Sequence, residues 1–502
     1  MSMNVVQKDT FDVIRSAVNK TVNLIAPTYG PSSNKVIIAK VTHGFVVDDG
    51  VQIARDLEFD DANENAVLKV VRETAIRTND RVGDGTTGAL IMLQAIIEER
   101  AKQTGRSPRE IEQELKKGFE EVKAKLTASA KPIRTKEELI KVARIAFDDM
   151  KIAEIIADTW FKIGKDGMIT VDRSGTMETV SDMSDGIKID RGYISPYMVT
   201  NPSRMESVIE KPHILLTDYR LTEVNDILPA MNLLAEKQIF NLIVICDNME
   251  QNALATAMVN KAQGKFNLIA INNPQGETDM DDIALLTNAK MFSMKKGDKL
   301  QDIKMENFGR AERIIVRQKE TVIVGPKGVK KNVEKAKSDL RQMITASATQ
   351  GGKEVFKKRL AFFTNKVAVI KVGAPTENEV IALKYKIDDA VNSTHAAFKN
   401  GVVSGAGLAL HSLTTSSDIL NEALKAPFRQ LKRNMGIEKH QTLKPGEAIN
   451  VVTGKVGKFM EVGVVDPVDV LIAQVESAVS IAGLLITTSG MIVEPPKHIK
   501  EE

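Results

Sequence analysis

The stretch Gly83-Asp84-Gly85-Thr86-Thr87 leads directly into a long apolar run with helical spacing. Its glycines let backbone N–H groups approach an anion closely, and a helix that begins at Thr86 or Thr87 directs the positive end of its dipole toward that anion. Asp84 is suited to hold a magnesium ion against phosphate groups. The stretch therefore predicts a nucleotide-phosphate and metal site.

Two other interpretations compete with this one. The chain contains no Gly-Lys-Ser or Gly-Lys-Thr triplet, so the site is not a common P-loop. A tight turn that caps a helix favours the same residue types, because turns and N-caps select glycine, aspartate and threonine. The motif alone leaves the turn and the nucleotide site open, and the rest of the chain has to decide between them.

Length and composition indicate a large, aliphatic, multidomain protein. The chain has 502 residues, more than one hydrophobic core usually supports, so we expect roughly two to four domains. Hydrophobic residues make up 43% of the chain but aromatic residues only 4%, so the core must rest on aliphatic side chains and on the 20 methionines. Methionine suits irregular cores and surfaces that bind varied apolar partners, and core packing is the simpler role for most of them.

Charge and cysteine content exclude several classes of protein. The 69 Lys and Arg residues balance 66 Asp and Glu residues, and both signs are mixed along the chain, so no nucleic-acid partner is expected. The single cysteine, Cys246, excludes an intramolecular disulfide and a cysteine metal cluster. No signal-peptide pattern opens the chain and no apolar stretch reaches membrane-spanning length, so we expect a cytoplasmic protein without a membrane partner.

The first third of the chain is predicted to be mainly helical. Apolar residues recur three or four positions apart over 8–26, and a short hairpin follows, with strands at 36–39 and 45–47. Pro132 marks a predicted boundary. Before that boundary, further helices are predicted over 64–80, 87–102 and 108–127.

Beyond residue 186 the pattern becomes α/β, and the last third returns to helices. The string from Gly401 to Gly407 holds only the start of a dinucleotide fingerprint, because the third glycine is missing. The charged tail 494–502 is expected to be disordered. Strands are predicted at 214–217, 242–246, 268–271, within 305–315, and at 322–324 and 367–372. Helices are predicted at 328–341, 353–363, 384–398 and 468–485.

Eight short strings, spread over nearly the whole chain, occur in an order and spacing that is specific as a set. They are Thr28-Tyr29-Gly30-Pro31, Asp49-Gly50, Gly83 to Thr87, Arg191 to Tyr197, Val367 to Ala374, Gly401 to Leu410, Val465-Asp466-Pro467 and Ile481 to Thr488. In this set the chain resembles a group I chaperonin, the GroEL-type ring ATPase. The run from Arg191 to Tyr197 favours the bacterial and organellar group over the archaeal and eukaryotic cytosolic one.

The resemblance implies a multidomain α and α/β fold with three domains. A mainly helical equatorial domain that binds ATP would comprise residues 1–131 and 401–502. A small α/β intermediate hinge domain would comprise 132–184 and 367–400, and an α/β apical domain that binds polypeptides would comprise 185–366. Periodicity alone does not show that the two chain ends pack together.

The resemblance also implies an ATPase that uses ATP and Mg²⁺, and it leaves open whether K⁺ is a further cofactor. Asp84 would hold the magnesium ion, Asp49 would help to order the attacking water, and Asp389 would swing onto the nucleotide as a second catalytic residue. Phosphoryl transfer depends mainly on positioning and charge neutralisation, which this set supplies. Without the resemblance, a solvated helical carboxylate is the simpler interpretation of Asp389. The implied nucleotide-binding residues are Thr28, Tyr29, Gly30, Pro31, Gly83, Gly85, Thr86, Thr87, Gly405, Ala406, Asn450 and Asp466.

For polypeptide binding, the resemblance implies an apolar groove between two apical helices and a nearby extended segment. Such a groove binds non-native chains without reading their sequence, and ring geometry shields it. ATP binding would rotate the groove away and release the chain into the cavity of a homo-oligomeric ring of seven subunits, single or double. Whether a co-chaperonin lid closes the ring stays open. The implied positions are Tyr193, Ser195, Tyr197, Met198, Leu228, Met231, Leu254, Met258 and Val259.

Several departures from the family pattern mark a divergent member. Asp48 stands where a lysine is usual, so potassium dependence stays open, while Gly88 replaces a third threonine and Ala406 interrupts a glycine triplet. Two connections, around 273–276 and 436–449, look shortened. These departures motivate an alternative function, a ring-shaped holdase or assembly scaffold with weak or incidental ATPase, beside the ATP-driven folding machine. An unrelated kinase is disfavoured, because no kinase motif set occurs.

Overall fold

A computed structural model of the chain describes most of its residues and divides it into two compact units. Unit 1 comprises Met1–Lys165, Val171–Val180 and Lys371–Glu502, and unit 2 comprises Asp166–Thr170 and Ser181–Ile370. The described residues are 4–6, 10–30, 34–39, 44–47, 50–82, 85–147, 149–165, 167–174, 176–201, 205–274, 277–347, 350–364, 366–436, 446–450 and 454–493. The predicted tail and Asp48 lie outside them. The finer division into three domains stays a prediction.

The helices of the described residues are, in chain order, α1 Thr10–Ile25, α2 Gly50–Asp56, α3 Ala62–Val82, α4 Thr86–Ala101, α5 Pro108–Ser129, α6 Lys136–Ala146, α7 Met150–Ile163, α8 Val224–Ala235, α9 Gln251–Ala262, α10 Glu277–Thr287, α11 Lys330–Ala346, α12 Gln350–Thr364, α13 Glu377–Asn400, α14 Leu408–His411, α15 Asp418–Leu424, α16 Ala426–Asn434, α17 Phe459–Val462 and α18 Val468–Ile486.

The strands are β1 Asn4–Val6, β2 Val36–Ala39, β3 Gly44–Val47, β4 Met168–Arg173, β5 Val180–Ile189, β6 Ser207–Glu210, β7 His213–Thr217, β8 Arg220–Leu221, β9 Asn241–Cys246, β10 Asn248–Met249, β11 Asn267–Asn272, β12 Met291–Phe292, β13 Gly309–Arg310, β14 Arg313–Val316, β15 Thr321–Val324, β16 Lys366–Val372, β17 Val402–Ser404, β18 Glu447–Asn450, β19 Lys455–Lys458, β20 Val465–Pro467 and β21 Met491–Val493. The predicted multidomain α and α/β fold class is confirmed.

Two elements differ in extent from the sequence prediction. Helix α13 begins seven residues earlier than predicted, because Thr376 and Glu379 form a capping box: the Thr376 side chain accepts from the Glu379 N–H. The stretch 305–315 is not one strand. There, β13 pairs with β7 and β14 pairs with β15 and β6, so the chain changes sheets between Arg310 and Arg313.

The core of unit 1 forms around α18, which packs against α3, α4 and α5. This helix is long and apolar enough to cross a membrane, with a mean hydropathy of 1.7, so the expectation that no stretch reaches that length was wrong. Most of the helix is buried, as in a core helix. Asp469 and Glu476 are the only charged side chains among its nineteen residues.

The two ends of the chain meet within unit 1. Strands β1 and β21 pair in antiparallel register, with Asn4 opposite Val493, and α18 also packs on α1. Strand β17 pairs with β20, which leads directly into α18. The N-terminal and C-terminal thirds therefore share one hydrophobic core, which sequence periodicity could not reveal.

Unit 2 combines a mainly parallel sheet with a mixed sheet. The first has the order β11-β9-β7-β12, with β13 antiparallel to β7, and the second has the order β4-β16-β5-β15-β14-β6. Strands β7 and β9 are almost wholly buried, as expected of strands inside an α/β layer. Cys246 closes β9 in this core, where burial raises the pKa of its thiol well above the ordinary range.

His213, at the start of β7, is a buried polar residue without hydrogen-bond partners. Both ring nitrogens are buried and unpaired among the described residues, and the ring makes an edge contact with Phe308. Burial, with a smaller effect from the nearby Arg310 charge, lowers the pKa of His213. The folded chain therefore holds this imidazole neutral at pH values where the unfolded chain takes up a proton.

We predict that acid destabilises unit 2 through His213. Stability is complete above the unfolded pKa of about 6.5 and falls as pH drops from there toward the lower folded pKa, because only the unfolded state gains a proton in that window. In His213→Leu this titration is absent, so the free energy of unfolding should depend less on pH between about 7 and 5. Urea unfolding, followed by circular dichroism, measures this pH dependence of the free energy of unfolding. An unchanged pH dependence in the variant would contradict the assignment.

Candidate nucleotide-binding site

The predicted phosphate site lies at the amino end of α4. Gly85 is the N-cap of this helix in the left-handed conformation, with φ +85°, and as a glycine it brings no side chain of its own to the helix end. The first-turn N–H groups of a helix have no partner within the helix, so such an end attracts an anion. A Cβ at Gly85 would lie 2.5 Å from Gln474 Nε2 and 2.9 Å from Val470 Cγ1. Backbone conformation and close packing against α18 both require glycine at this position.

The turn after α1 forms a second wall of the site. Thr28 is buried, and its hydroxyl donates to the carbonyl at the end of α1 at 2.8 Å. From α16, Asn434 Nδ2 donates to two carbonyl oxygens of the turn, one of them that of Tyr29, each at 2.9 Å. Gly30 has φ +95°, and a Cβ there would lie 2.2 Å from Leu431 Cδ1. Helix α16 therefore fixes the shape of this turn.

These two walls belong to one packed cluster. The 3₁₀ turn at 26–28 packs on α4, and Gly50, the first residue of α2, lies against α4 and against the end of α1. A Cβ at Gly50 would lie 2.5 Å from Thr87 Oγ1 and 3.1 Å from Ile25 Cγ2. Thr86 is buried and Thr87 is half-buried. The structure thus brings together the described phosphate-site residues, whereas Pro31, Asp49, Gly83 and Asp84 lie outside the described residues.

The predicted nucleoside-binding residues gather where β17 meets β20. Asp466 pairs with Val403 in the antiparallel register, and the next turn brings the Gly405 N–H to the Val464 carbonyl at 2.9 Å. A Cβ at Gly405 would lie 2.8 Å from the nitrogen of Val465, so only glycine fits there. Gly405 and Asp466, sixty residues apart in the chain, are therefore neighbours.

Ala406 and Asn450 complete this group. Ala406 is a non-glycine residue in the left-handed region, with φ +57°. It keeps the backbone conformation that the glycine triplet would supply, at the cost of about 1–2 kcal/mol of local strain. Asn450, at the end of β18, donates from Nδ2 to the Val462 carbonyl at 3.2 Å. Both residues thus lie at the same turn region, 462–466, as Gly405 and Asp466.

Asp389 lies on α13, within unit 1, and is half-buried. Helix α13 packs against β20, which carries Asp466, and against α18, where Ala396 joins Val470 and Ala473 in a small apolar cluster. The helix that bears the predicted catalytic carboxylate therefore contacts the same elements that carry the predicted nucleotide contacts.

The described residues fit a phosphate chain better than a metal ion. A helix amino end and three glycines in close contact with their neighbours form a cradle that any side chain would fill. Among the described residues, no group of three or more His, Cys, Asp and Glu side chains gathers to hold a metal ion. The magnesium prediction rests on Asp84, which is outside those residues.

The predicted polypeptide-binding residues, all in unit 2, separate into buried and accessible groups. Tyr197 is 79% exposed on the 3₁₀ turn at 196–198, and Val259 is 52% exposed on α9. Leu228, Leu254 and Met258 are half-buried. Four other side chains lie in the core and are not accessible to a bound chain in this structure, because they pack under the helices: Tyr193, Ser195, Met198 and Met231.

Sequence reasoning missed two residues that shape the site. Asn434 holds the turn after α1, and nothing in its local sequence marks it. Gln474 packs against Gly85 from α18. The sequence does mark Gln474, because it is the one side-chain amide in the apolar run 468–486.

Comparison with known proteins agrees with this architecture. The model of the TCP-1/cpn60 chaperonin family matches residues 22–496. The fold resembles the crystal structure of the chaperonin gp146 from the bacteriophage EL 2 (Pseudomonas aeruginosa), in presence of ATP-BeFx. In crystal form II the TM-score is 0.70 at 20% identity, over 98% of this chain and 99% of that one. In crystal form I the TM-score is 0.63 at the same identity and coverage. The chain belongs to the TCP-1/cpn60 chaperonin family.

Proposed function

We propose that this chain is the subunit of an ATP-dependent chaperonin, which binds non-native polypeptides on unit 2 and promotes their folding in a ring cavity through ATP binding and hydrolysis on unit 1. A chaperone role follows from the family. The observation that carries the finer proposal is the glycine-lined amino end of α4, which packs against the turn after α1 and against α18.

The proposed roles follow the geometry of unit 1. The turn at 28–30 and the first turn of α4 would hold phosphates through backbone N–H groups, while Gly405, Asn450 and Asp466 would hold the nucleoside. Bound ATP would supply the phosphoryl group and Mg²⁺ its charge neutralisation, with Asp84 as the metal ligand. Asp389 and Asp49 would orient water and accept its proton, a role that needs a carboxylate close to the nucleotide.

An apolar surface on unit 2 supports polypeptide binding. Helix α9 packs against α8 and against the 3₁₀ turn that carries Tyr197. Lys261 of α9 donates to the Val199 carbonyl at 2.8 Å and so ties the extended segment to the helix. Exposed Tyr197 and Val259 then lie on adjoining elements. An apolar surface of this kind binds unfolded segments without reading their sequence.

Two ribbons of unit 1 support assembly into a homo-oligomer. In the β2–β3 hairpin, Ile37 and Val46 are directly opposite each other, and their side chains are 75% and 61% exposed. Strands β1 and β21 form a separate two-stranded ribbon, on which Ile492 is exposed. Two-stranded ribbons with open edges and apolar faces are marginal alone, so contact with neighbouring subunits is the arrangement that stabilises them.

We predict that Gly85→Ala impairs nucleotide binding, whereas Gly105→Ala does not. Both glycines have positive φ, +85° and +78°, so both substitutions carry the same backbone strain. Only at Gly85 would the methyl group meet neighbours, and nothing lies within 4 Å of a Cβ at Gly105. Titration calorimetry with Mg-ADP should give at least about tenfold weaker binding for Gly85→Ala, the loss of one charge-assisted contact. Equal affinities in both variants would contradict the cradle.

We predict that Asp389→Asn lowers ATP turnover by about 10²–10⁴-fold, the range for a general base, with little change in KM. Asp158→Asn is the matched control, because Asp158 is also a half-buried helical aspartate of unit 1 but pairs with Lys136 at the surface. Steady-state phosphate release measures both. Unchanged turnover in Asp389→Asn would show that Asp389 is not a catalytic residue.

Client recovery separates the two functions. If the wild-type protein recovers an inactive client without ATP hydrolysis, the holdase alternative holds instead.

We predict that Val259→Ser weakens capture of an unfolded polypeptide. Each binding surface loses about 1 kcal/mol of binding free energy from apolar burial, which corresponds to about fivefold in affinity. Val355→Ser is the control, since Val355 is 56% exposed on α12 of the same unit but belongs to no predicted contact. Suppression of client aggregation, followed by light scattering without nucleotide, compares them. Equal losses in both variants would argue for unspecific surface binding.

A further inference from the structure

Gln474 of α18 is a buried amide with an unsatisfied oxygen. The residue is 5% exposed, and its Oε1 is buried without a hydrogen-bond partner among the described residues. A buried polar atom left in this state costs about 1–3 kcal/mol of folding free energy. Such atoms are rare in native structures, and each requires an explanation, either a strained site or a ligand that completes the bond.

The amide lies directly against the first turn of α4. A Cβ at Gly85 would be 2.5 Å from Nε2, and a Cβ at Gly88 would be 3.0 Å from each of Cδ, Nε2 and Oε1. Gly88 is the position at which the chain lacks the third threonine of the family pattern. The Gln474 side chain therefore occupies space beside α4 that a larger residue at 88 would take.

The location is unusual for a residue that only fills space. An apolar side chain of the same length would fit the surrounding core, formed by residues such as Val470 and Val475, without leaving an atom unpaired. Gly85 is also the N-cap of α4, and a helix amino end attracts anions through its N–H groups and its dipole. An amide donor placed there would add a charge-assisted hydrogen bond to an anionic oxygen.

We propose that Gln474 is a further phosphate-binding residue: its amide, in the space opened by Gly88, donates from Nε2 to an anionic oxygen held at the amino end of α4, while Oε1 accepts from a water bound with that anion. The proposal rests on the function proposed above, because the anion is the phosphate chain of the nucleotide. Without ligand, the unpaired amide oxygen lowers the stability of the folded chain. Ligand binding removes this loss of stability.

The apolar isostere Gln474→Met separates this role from packing. The variant lacks the unpaired oxygen but keeps the length of the side chain, so the nucleotide-free protein should unfold at a higher temperature than the wild type. Its affinity for Mg-ADP should fall by roughly tenfold or more, the effect of one hydrogen bond to a charged group. Differential scanning calorimetry and titration calorimetry of the full chain measure the two quantities. Gln113→Met, at an exposed position of α5, is the control.

A second pair of variants tests whether a folding defect, and not the lost hydrogen bond, explains a lower affinity. Gln474→Ala alone should weaken Mg-ADP binding, and combining it with Gly88→Thr should recover part of the affinity, because a hydroxyl then occupies the vacated space. Wild-type affinity in both Gln474→Met and Gln474→Ala would overturn the proposal and leave the nucleotide site intact. A wild-type protein that binds no Mg-ADP would overturn the proposed function and this inference together.

Discussion

The contact between α4 and α18 is the interaction on which the rest of unit 1 depends. Helix α18 buries most of its apolar surface against α3, α4 and α5, and a fully buried Leu, Ile or Val contributes about 1.5–3 kcal/mol. The same contact fixes the phosphate cradle, because Val470 and Gln474 press against Gly85 at the helix amino end. Close approach is possible only because Gly85 and Gly88 carry no side chain. The packing of the C-terminal helix and the shape of the proposed site therefore depend on the same contact.

Local structure could be read from the sequence with few errors. The helix at 10–25, the hairpin at 36–47 and the buried strands of unit 2 followed from apolar periodicity and turn residues, which act over a few positions. Helix α13 was predicted too short because its capping box begins at Thr376, eight residues before the predicted start at 384. Strand structure was predicted within 305–315 and is present there as β13 and β14, but the change of sheet between them leaves no mark on periodicity.

The residues of the proposed site were predicted largely through the family resemblance. The long-range contacts that bring them together were not predicted. The pairing of Val403 with Asp466 and the hydrogen bonds from Asn434 to the turn after α1 join segments that no local pattern connects. The polypeptide-binding residues stay a prediction, and the pattern that marks a groove residue also marks a core residue: Met198 and Met231 are buried. The proposed nucleotide residues belong to unit 1 and the proposed apolar surface to unit 2, so the proposed cycle would need a conformational equilibrium that nucleotide shifts by binding one state better.

We propose above that this chain is a ring subunit that binds nucleotide on unit 1. Native mass spectrometry of the full-length protein, with and without magnesium and ATP-BeFx, tests it most directly, because one spectrum reports both subunit number and bound nucleotide. The account predicts an assembly near seven or fourteen subunits, as the family resemblance implies, that carries one nucleotide for each subunit. A persistent monomer that binds no nucleotide would contradict both the ring and the cradle at the amino end of α4.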